Sequence, residues 1–251
     1  MVTFARELSY RGDNKQMRRR DVILGLGAVA TYPLLSAREL WAKLTPSETS
    51  VLLVVDVQNC FLPGGTLAVP NGDEIIPVIN SLGEKFQNVI FTQDWHTQDQ
   101  VSFASNHPGK EPFETVELSY GTQVLWPDHC VQDTHDARLA SGLNIPHAQL
   151  IIRKGYHSEI DSYSAFVAAD RKTKTGLTGY MRERGLQEVY VCGLATDFCV
   201  NWSAMDARQA GMDVWVIEDA CRAIDLNGSL DSAWKDMERE GVQRISSADI
   251  Q

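Results

Sequence analysis

The chain has 251 residues, 43% of them hydrophobic and 22% charged, with a formal net charge of −10. That balance is ordinary for a soluble globular protein, and the length suffices for one large α/β domain with a well-buried sheet. Residues 1–50 carry 8 Lys/Arg against 5 Asp/Glu and the remainder 15 against 28, so the body is acidic and unsuited to nucleic acid or an anionic membrane surface, while a small uncharged substrate fits it.

Residues 1–50 read as an N-terminal extension. From Met17, three arginines (Arg18, Arg19, Arg20) lead into a Gly- and Ala-rich apolar stretch over residues 22–35, the layout of an export signal. The paired arginines are similar to those of a twin-arginine signal, which implies periplasmic export of an already folded protein. Met17 is an alternative start. The run is too short and too glycine-rich for a stable membrane span. An amphipathic helix packed on a cytoplasmic body is the alternative.

The folded domain is expected over residues 51–251. VLLVVD (51–56) is a continuous apolar run and predicts a strand buried on both faces. Residues 72–86 predict a helix and NVIFTQD (88–94) the next strand. About fifty irregular residues rich in Pro, His and Trp follow, before a strand at QLIIRK (149–154). A helix over 175–185, a strand over 187–193, a helix from Thr196 to Gly211 and a strand over 212–219 come next. A helix over 229–240 and a short strand over 242–245 close the chain. This alternation predicts an α/β fold of three layers, α-β-α, around a central parallel sheet. Ligands of such sheets bind beyond the carboxyl ends of the strands, where the strand order reverses.

Several chemistry-bearing residues fall at those ends. Asp56 closes the first strand, where burial would raise its pKa towards neutrality and suit it to take a proton; capping the next loop is the plainer role. Lys154 ends its strand and needs a carboxylate partner, Asp56 being the natural one, unless it snorkels to solvent. Arg153 should face the other way. Asp94 and His96 form a D-x-H at a strand end and share a side, and His129 lies in a segment able to fold back towards them. One carboxylate and two imidazoles make a reasonable ligand set for zinc, iron or manganese, with water completing it. His107 is a reserve candidate, while His135, His147 and His157 read as loop or surface residues. Cys199 is predicted in the first turn of the helix begun by Thr196, where free N–H groups and the helix dipole lower a thiol pKa. A small buried hydrophobe is the plainer reading there. The other cysteines, Cys60, Cys130, Cys192 and Cys221, form no CxxC pair and read as free packing thiols.

Taken in order, DVQNCFLPGGTLAVPNGDEIIPVIN, TQDWH with VSFASNH, LWPDHCVQDT, RKGYHSEIDSYSAF and GLATDFCV resemble the nicotinamidases (pyrazinamidases) of the isochorismatase-like cysteine hydrolases. The resemblance covers residues 51–251. It implies hydrolysis of nicotinamide to nicotinate and ammonia, a step of NAD salvage, through a thioester on a cysteine. It implies a catalytic triad of Asp56, Lys154 and Cys199, and an oxyanion hole from the amides of Ala195 and Cys199. It also implies one divalent metal ion, zinc ahead of iron or manganese, held by Asp94, His96 and His129. A further histidine ligand of some relatives is absent from TQDQVSF, which leaves its place to Ser102 or a water. Phe61, Leu67, Trp126 and Tyr163 are implied as walls for a flat ring, and a cis peptide is implied at Ala195–Thr196. Self-association is left open. The competing readings are a metal-hydroxide amidohydrolase with Cys199 structural, another amidase or isochorismatase on the same fold, and a non-catalytic ligand-binding or thiol-sensing module.

Overall fold

The structure, a computed structural model, describes residues 43–251. The arginine run and apolar stretch of the expected export segment lie outside the described residues. No described helix is long and apolar enough to cross a membrane. Leu44 bridges to Ile250, donating its amide to Asp249 and accepting from Gln251. The packed body therefore begins ahead of the boundary drawn at residue 51.

In chain order the elements are β1 (Ser50–Val55), α1 (Ile75–Gly83), β2 (Asn88–Asp94), β3 (Thr115–Leu118), β4 (Gly121–Val124), β5 (Leu150–Lys154), α2 (Leu177–Glu183), β6 (Glu188–Leu194), α3 (Asn201–Gln209), β7 (Asp213–Arg222), α4 (Ser229–Arg239) and β8 (Gln243–Ile245). Six strands form one sheet in the order β5-β2-β1-β6-β7-β8, and every pairing in it is parallel. The apolar run of β1 is explained by its central place: all six of its residues are buried. In α1, Ile75, Ile79 and Leu82 fall on one stripe and are buried. The chain steps one way from β1 to β2 and the other way from β6 to β7, and with crossovers of the usual right hand this reversal puts helices on both faces.

The chain departs from the pattern in three places. The irregular stretch contains a hairpin, β3–β4, whose residues are mostly half-buried or exposed. A strand pair on the surface lacks the apolar run that marks the central strands. Thr196–Val200 forms a single π turn, and α3 begins only at Asn201. Cys60 and Cys130 are joined in a disulfide, 70 residues apart with Cα atoms 5.6 Å apart. That corrects the reading of both as free thiols, since only loop packing brings them together. Cys192, Cys199 and Cys221 are free and buried.

β1 and β6 approach closely where the sheet order reverses. At Gly193 φ is +117°, and an added Cβ would lie 2.1 Å from the Val55 carbonyl oxygen. Neither the conformation nor the space admits a side chain. Gly193→Ala is therefore expected to cost about 3 kcal/mol or more, a fall of roughly 10 °C in the thermal midpoint of a chain this size. Thermal unfolding followed by circular dichroism checks it.

Candidate active site

The reversal between β1 and β6 opens a crevice at the carboxyl ends of the strands, and four strands deliver a reactive group to it. Asp56 follows β1 with φ +48°, a left-handed turn that swings its carboxyl back over the sheet. Thr92 of β2 holds that turn. Its hydroxyl accepts from the Asp56 amide at 3.1 Å and donates to Asp56 Oδ1 at 2.5 Å. Asp94 and Lys154 are register partners across β2 and β5, so their side chains rise side by side. Cys199 stands in the turn just past β6. Arg153 does face away, its guanidinium 3.7 Å from the centre of the Trp95 ring.

Lys154 is completely buried. Its ammonium lies 2.8 Å from Asp56 Oδ2 and 2.6 Å from Asp94 Oδ1. It also donates to the Ser162 carbonyl at 3.0 Å and to Cys199 Sγ at 3.3 Å. Sequence reasoning gave this lysine one carboxylate and the register supplies two. Burial works against its charge, yet Asp56 and Asp94 outweigh burial and hold its pKa well above the ordinary value. Lys154 is therefore a fixed cation. Burial pushes the Asp56 carboxyl up to about 6 even though Lys154 pulls the other way. Burial also acts on Asp94, but Lys154 and then His96 overcome it and keep that carboxyl well below the usual carboxylate range. Two aspartates sharing one lysine are thus split, one poised to exchange a proton and the other a permanent anion.

The thiol differs from its sequence reading. Burial raises the Cys199 pKa well above 9, and the nearby Lys154 only partly offsets this. The expected lowering at a helix N-terminus is overturned because Cys199 sits in the π turn, 6% exposed, with Asp56 and Asp94 adding like charge. The resting group is a neutral thiol that needs a base. In the same turn the Ala195 carbonyl accepts from the amides of Phe198 and Val200 at 3.1 and 3.2 Å. The cis peptide lies at Leu194–Ala195, one bond before the position expected.

Asp94, His96 and His129 present ligand atoms that all lie within 4.8 Å of one another, each residue buried. The segment carrying His129 does fold back: His96 donates its amide to Cys130 and accepts from that of Gln132, at 3.1 and 2.9 Å. His96 Nδ1 is 3.0 Å from the Gly155 carbonyl and His129 Nδ1 is 2.8 Å from that of Pro127. Each carbonyl can only accept, so it places the proton of the neutral ring on Nδ1 and leaves Nε2 as the nitrogen available to a metal. The donor set of one carboxylate and two imidazole nitrogens fits a divalent transition-metal ion. Gly155 has φ +67°, and an added Cβ would lie 2.5 Å from His96 Cε1, so the glycine after Lys154 makes room for the ring. Ser102 Oγ is buried without a hydrogen-bond partner. His107 is bonded to the Val101 carbonyl at 2.7 Å and takes no part in the cluster.

Cys199 and the Asp94, His96 and His129 cluster open on one cavity. Phe61, Leu67, Trp126 and Tyr163 all line it, together with Cys199, Asp94, His96 and His129. Sequence reasoning missed Phe198, Ile224, Asp161 and Ser162 on its wall. Phe198 meets Trp126 edge-on at 4.8 Å, and its place directly before the cysteine was a usable signal. Asp161 had none, being one more loop aspartate. Asp197 ties the turn down, accepting from the amides of Ile224 and Asp225 at 3.1 and 2.8 Å.

A family model for the isochorismatase domain matches residues 50–249. The nicotinamidase of Acinetobacter baylyi is 59% identical over 208 residues, covering 83% of this chain and 97% of that protein. The solved nicotinamidase/pyrazinamidase of Acinetobacter baumanii superposes with a TM-score of 0.80 at 62% identity, over 81% of this chain and 98% of that one. The pyrazinamidase of Pyrococcus horikoshii, solved in complex with zinc, superposes at 0.65 with 32% identity, over 79% and 99%.

Proposed function

The chain belongs to the isochorismatase family, and from that premise we propose that it is a nicotinamidase, hydrolysing nicotinamide to nicotinate and ammonia through a thioester on Cys199. One observation carries the reading. Cys199 Sγ lies among Lys154, Asp56 and Asp94 on a cavity walled by aromatic rings, beside a cluster fitted for a divalent ion. The flat ring stands between the cavity's aromatic side chains, which exclude water from the reacting carbon. Asp94, His96 and His129 would hold the metal, zinc on the precedent of the solved relative, and such an ion would supply a Lewis acid facing the substrate ring.

Asp56 takes the proton from the Cys199 thiol as sulfur attacks the carboxamide carbon. Proton loss accompanies attack because the free thiolate is disfavoured by burial. Lys154 keeps its protons, orients Asp56 and stabilises the charge growing on sulfur at 3.3 Å. The amides of Ala195 and Cys199 hold the oxyanion, each good donor contributing about 3 kcal/mol. Asp56 returns the proton to the departing ammonia. Water then adds to the thioester, nicotinate leaves, and the thiol recovers its proton.

Ammonia release from nicotinamide, measured with and without a chelator, tests the reading. Activity that falls on chelation and returns with added zinc supports it, and no release from the metal-loaded protein refutes it. The pH profile carries a second expectation. Protonated Asp56 cannot accept the thiol proton, so kcat/KM should fall on the acid side about tenfold per pH unit below an apparent pKa near 6. For localisation, Arg18, Arg19 and Arg20 and the apolar stretch after them support twin-arginine export, which fractionation with N-terminal sequencing checks.

A further inference from the structure

Asp161 stands on the wall of the same cavity and has no part in the chemistry above. It is 2% exposed. Its carboxylate accepts from the Ser162 amide at 2.8 Å and from Gln123 Nε2 at 3.0 Å. It enters none of the ion pairs among the described residues. The ammonium nearest the cavity, that of Lys154, is taken by Asp56 and Asp94. Both hydrogen-bond partners of Asp161 are neutral donors, while the imidazoles of His96 and His129 on the same cavity feel its charge. A carboxylate accepts from both donors at once, where an asparagine would turn its amide nitrogen on Gln123 Nε2. It does so as a buried negative charge with no ion pair, and that cost calls for an explanation.

The reaction supplies one. A neutral carboxamide enters the cavity and an anionic carboxylate must leave it. We propose that Asp161 is a specificity-determining residue, a buried negative charge on the cavity wall that lets the neutral amide bind and drives the carboxylate product out. This rests on the nicotinamidase reading. Two like charges a few ångströms apart, in the effective dielectric of a protein, weaken product binding by about tenfold or more. The hydrogen bonds of Asp161 define the competing role. Gln123 Nε2 also lies 2.9 Å from the Tyr163 hydroxyl, which accepts from Trp126 Nε1 at 2.9 Å. Asp161 could thus serve only to hold that aromatic wall.

Calorimetric titration of nicotinamide and nicotinate into the metal-loaded Cys199→Ala protein, where turnover cannot interfere, separates the two roles. Adding Asp161→Asn should lower the ratio of the nicotinate to the nicotinamide dissociation constant about tenfold, mainly by tighter nicotinate, with metal content unchanged. Gln123→Leu keeps the charge and cuts the link to Tyr163. It should weaken both ligands together and leave the ratio alone. If Asp161→Asn behaves like Gln123→Leu, or leaves the ratio unchanged, Asp161 only positions the wall and the proposal fails. Loss of metal from Asp161→Asn also overturns it, because the charge then acts through the ion. Should Asp161→Asn not fold, Asp161→Ser is read by the same ratio. Absence of ammonia release by the protein with Cys199 intact refutes the nicotinamidase reading instead, so the two failures are told apart.

Discussion

Cys199→Ala should abolish nicotinamide turnover, by at least about 10⁴-fold in kcat, while the protein keeps its metal. On the proposed route the sulfur forms the bond that replaces the amide nitrogen, and its two buried neighbours are otherwise engaged. Asp56 is held by Thr92 and Lys154, and the Lys154 ammonium keeps its proton. Loss of a nucleophile typically removes all but the contribution of binding and oxyanion stabilisation. Metal should stay because the proposed ligands, Asp94, His96 and His129, do not include the cysteine. Ammonia release under single-turnover conditions and metal analysis of the same preparation check both halves. Iodoacetamide gives an independent reading, since Cys199 lines the cavity and alkylation should stop the reaction. Substantial activity after either treatment would favour a metal-bound hydroxide as nucleophile.

Lys154→Met should produce the largest loss of stability together with loss of activity. The methionine fills much of the space of the lysine stem but leaves two buried carboxylates, Asp56 and Asp94, without the cation lying within 2.8 Å of each. Removing one partner of a buried ion pair costs about 3–5 kcal/mol, which is roughly 10 °C or more in midpoint for a chain of this size. The loss should depend on pH with a definite sign. Without the lysine, the folded-state pKa values of these carboxyls rise above their unfolded values, so the folded state binds more protons than the unfolded one. Stability of the variant should then improve as pH falls towards 4 and worsen as pH rises through the shifted values. Denaturant unfolding of both proteins at pH 5 and pH 8 measures it, and the gap between them should be smaller at pH 5. An equal gap at both pH values would mean that the cost is packing and not unpaired charge.

Much of this architecture could be read along the chain. The continuous apolar runs of β1, β2 and β6 mark strands buried on both faces, and the apolar stripes of α1 and α4 follow the 3.6-residue helical repeat, so they give the sheet and its helices directly. Polar residues that end apolar runs (Asp56, Asp94, Lys154) stand where a parallel sheet presents its ligands, so the site was legible as soon as the fold class was. The hairpin β3–β4 was not, because a half-exposed strand pair has no such run. Neither was Asp161, whose meaning comes from what surrounds it.

What the sequence by itself determined is the order of elements, the parallel sheet and the identity of the groups at its carboxyl edge, since these follow from local periodicity and side-chain chemistry. The tertiary structure alone decided that Lys154 serves two aspartates, that Cys60 reaches Cys130 across 70 residues, and that the Cys199 thiol is raised where its place in the chain suggested lowering. Strand register, loop contact and proton affinity depend on neighbours distant in sequence and on the water they displace. Those neighbours, and the field they create around a buried charge, exist only once the chain has closed on itself.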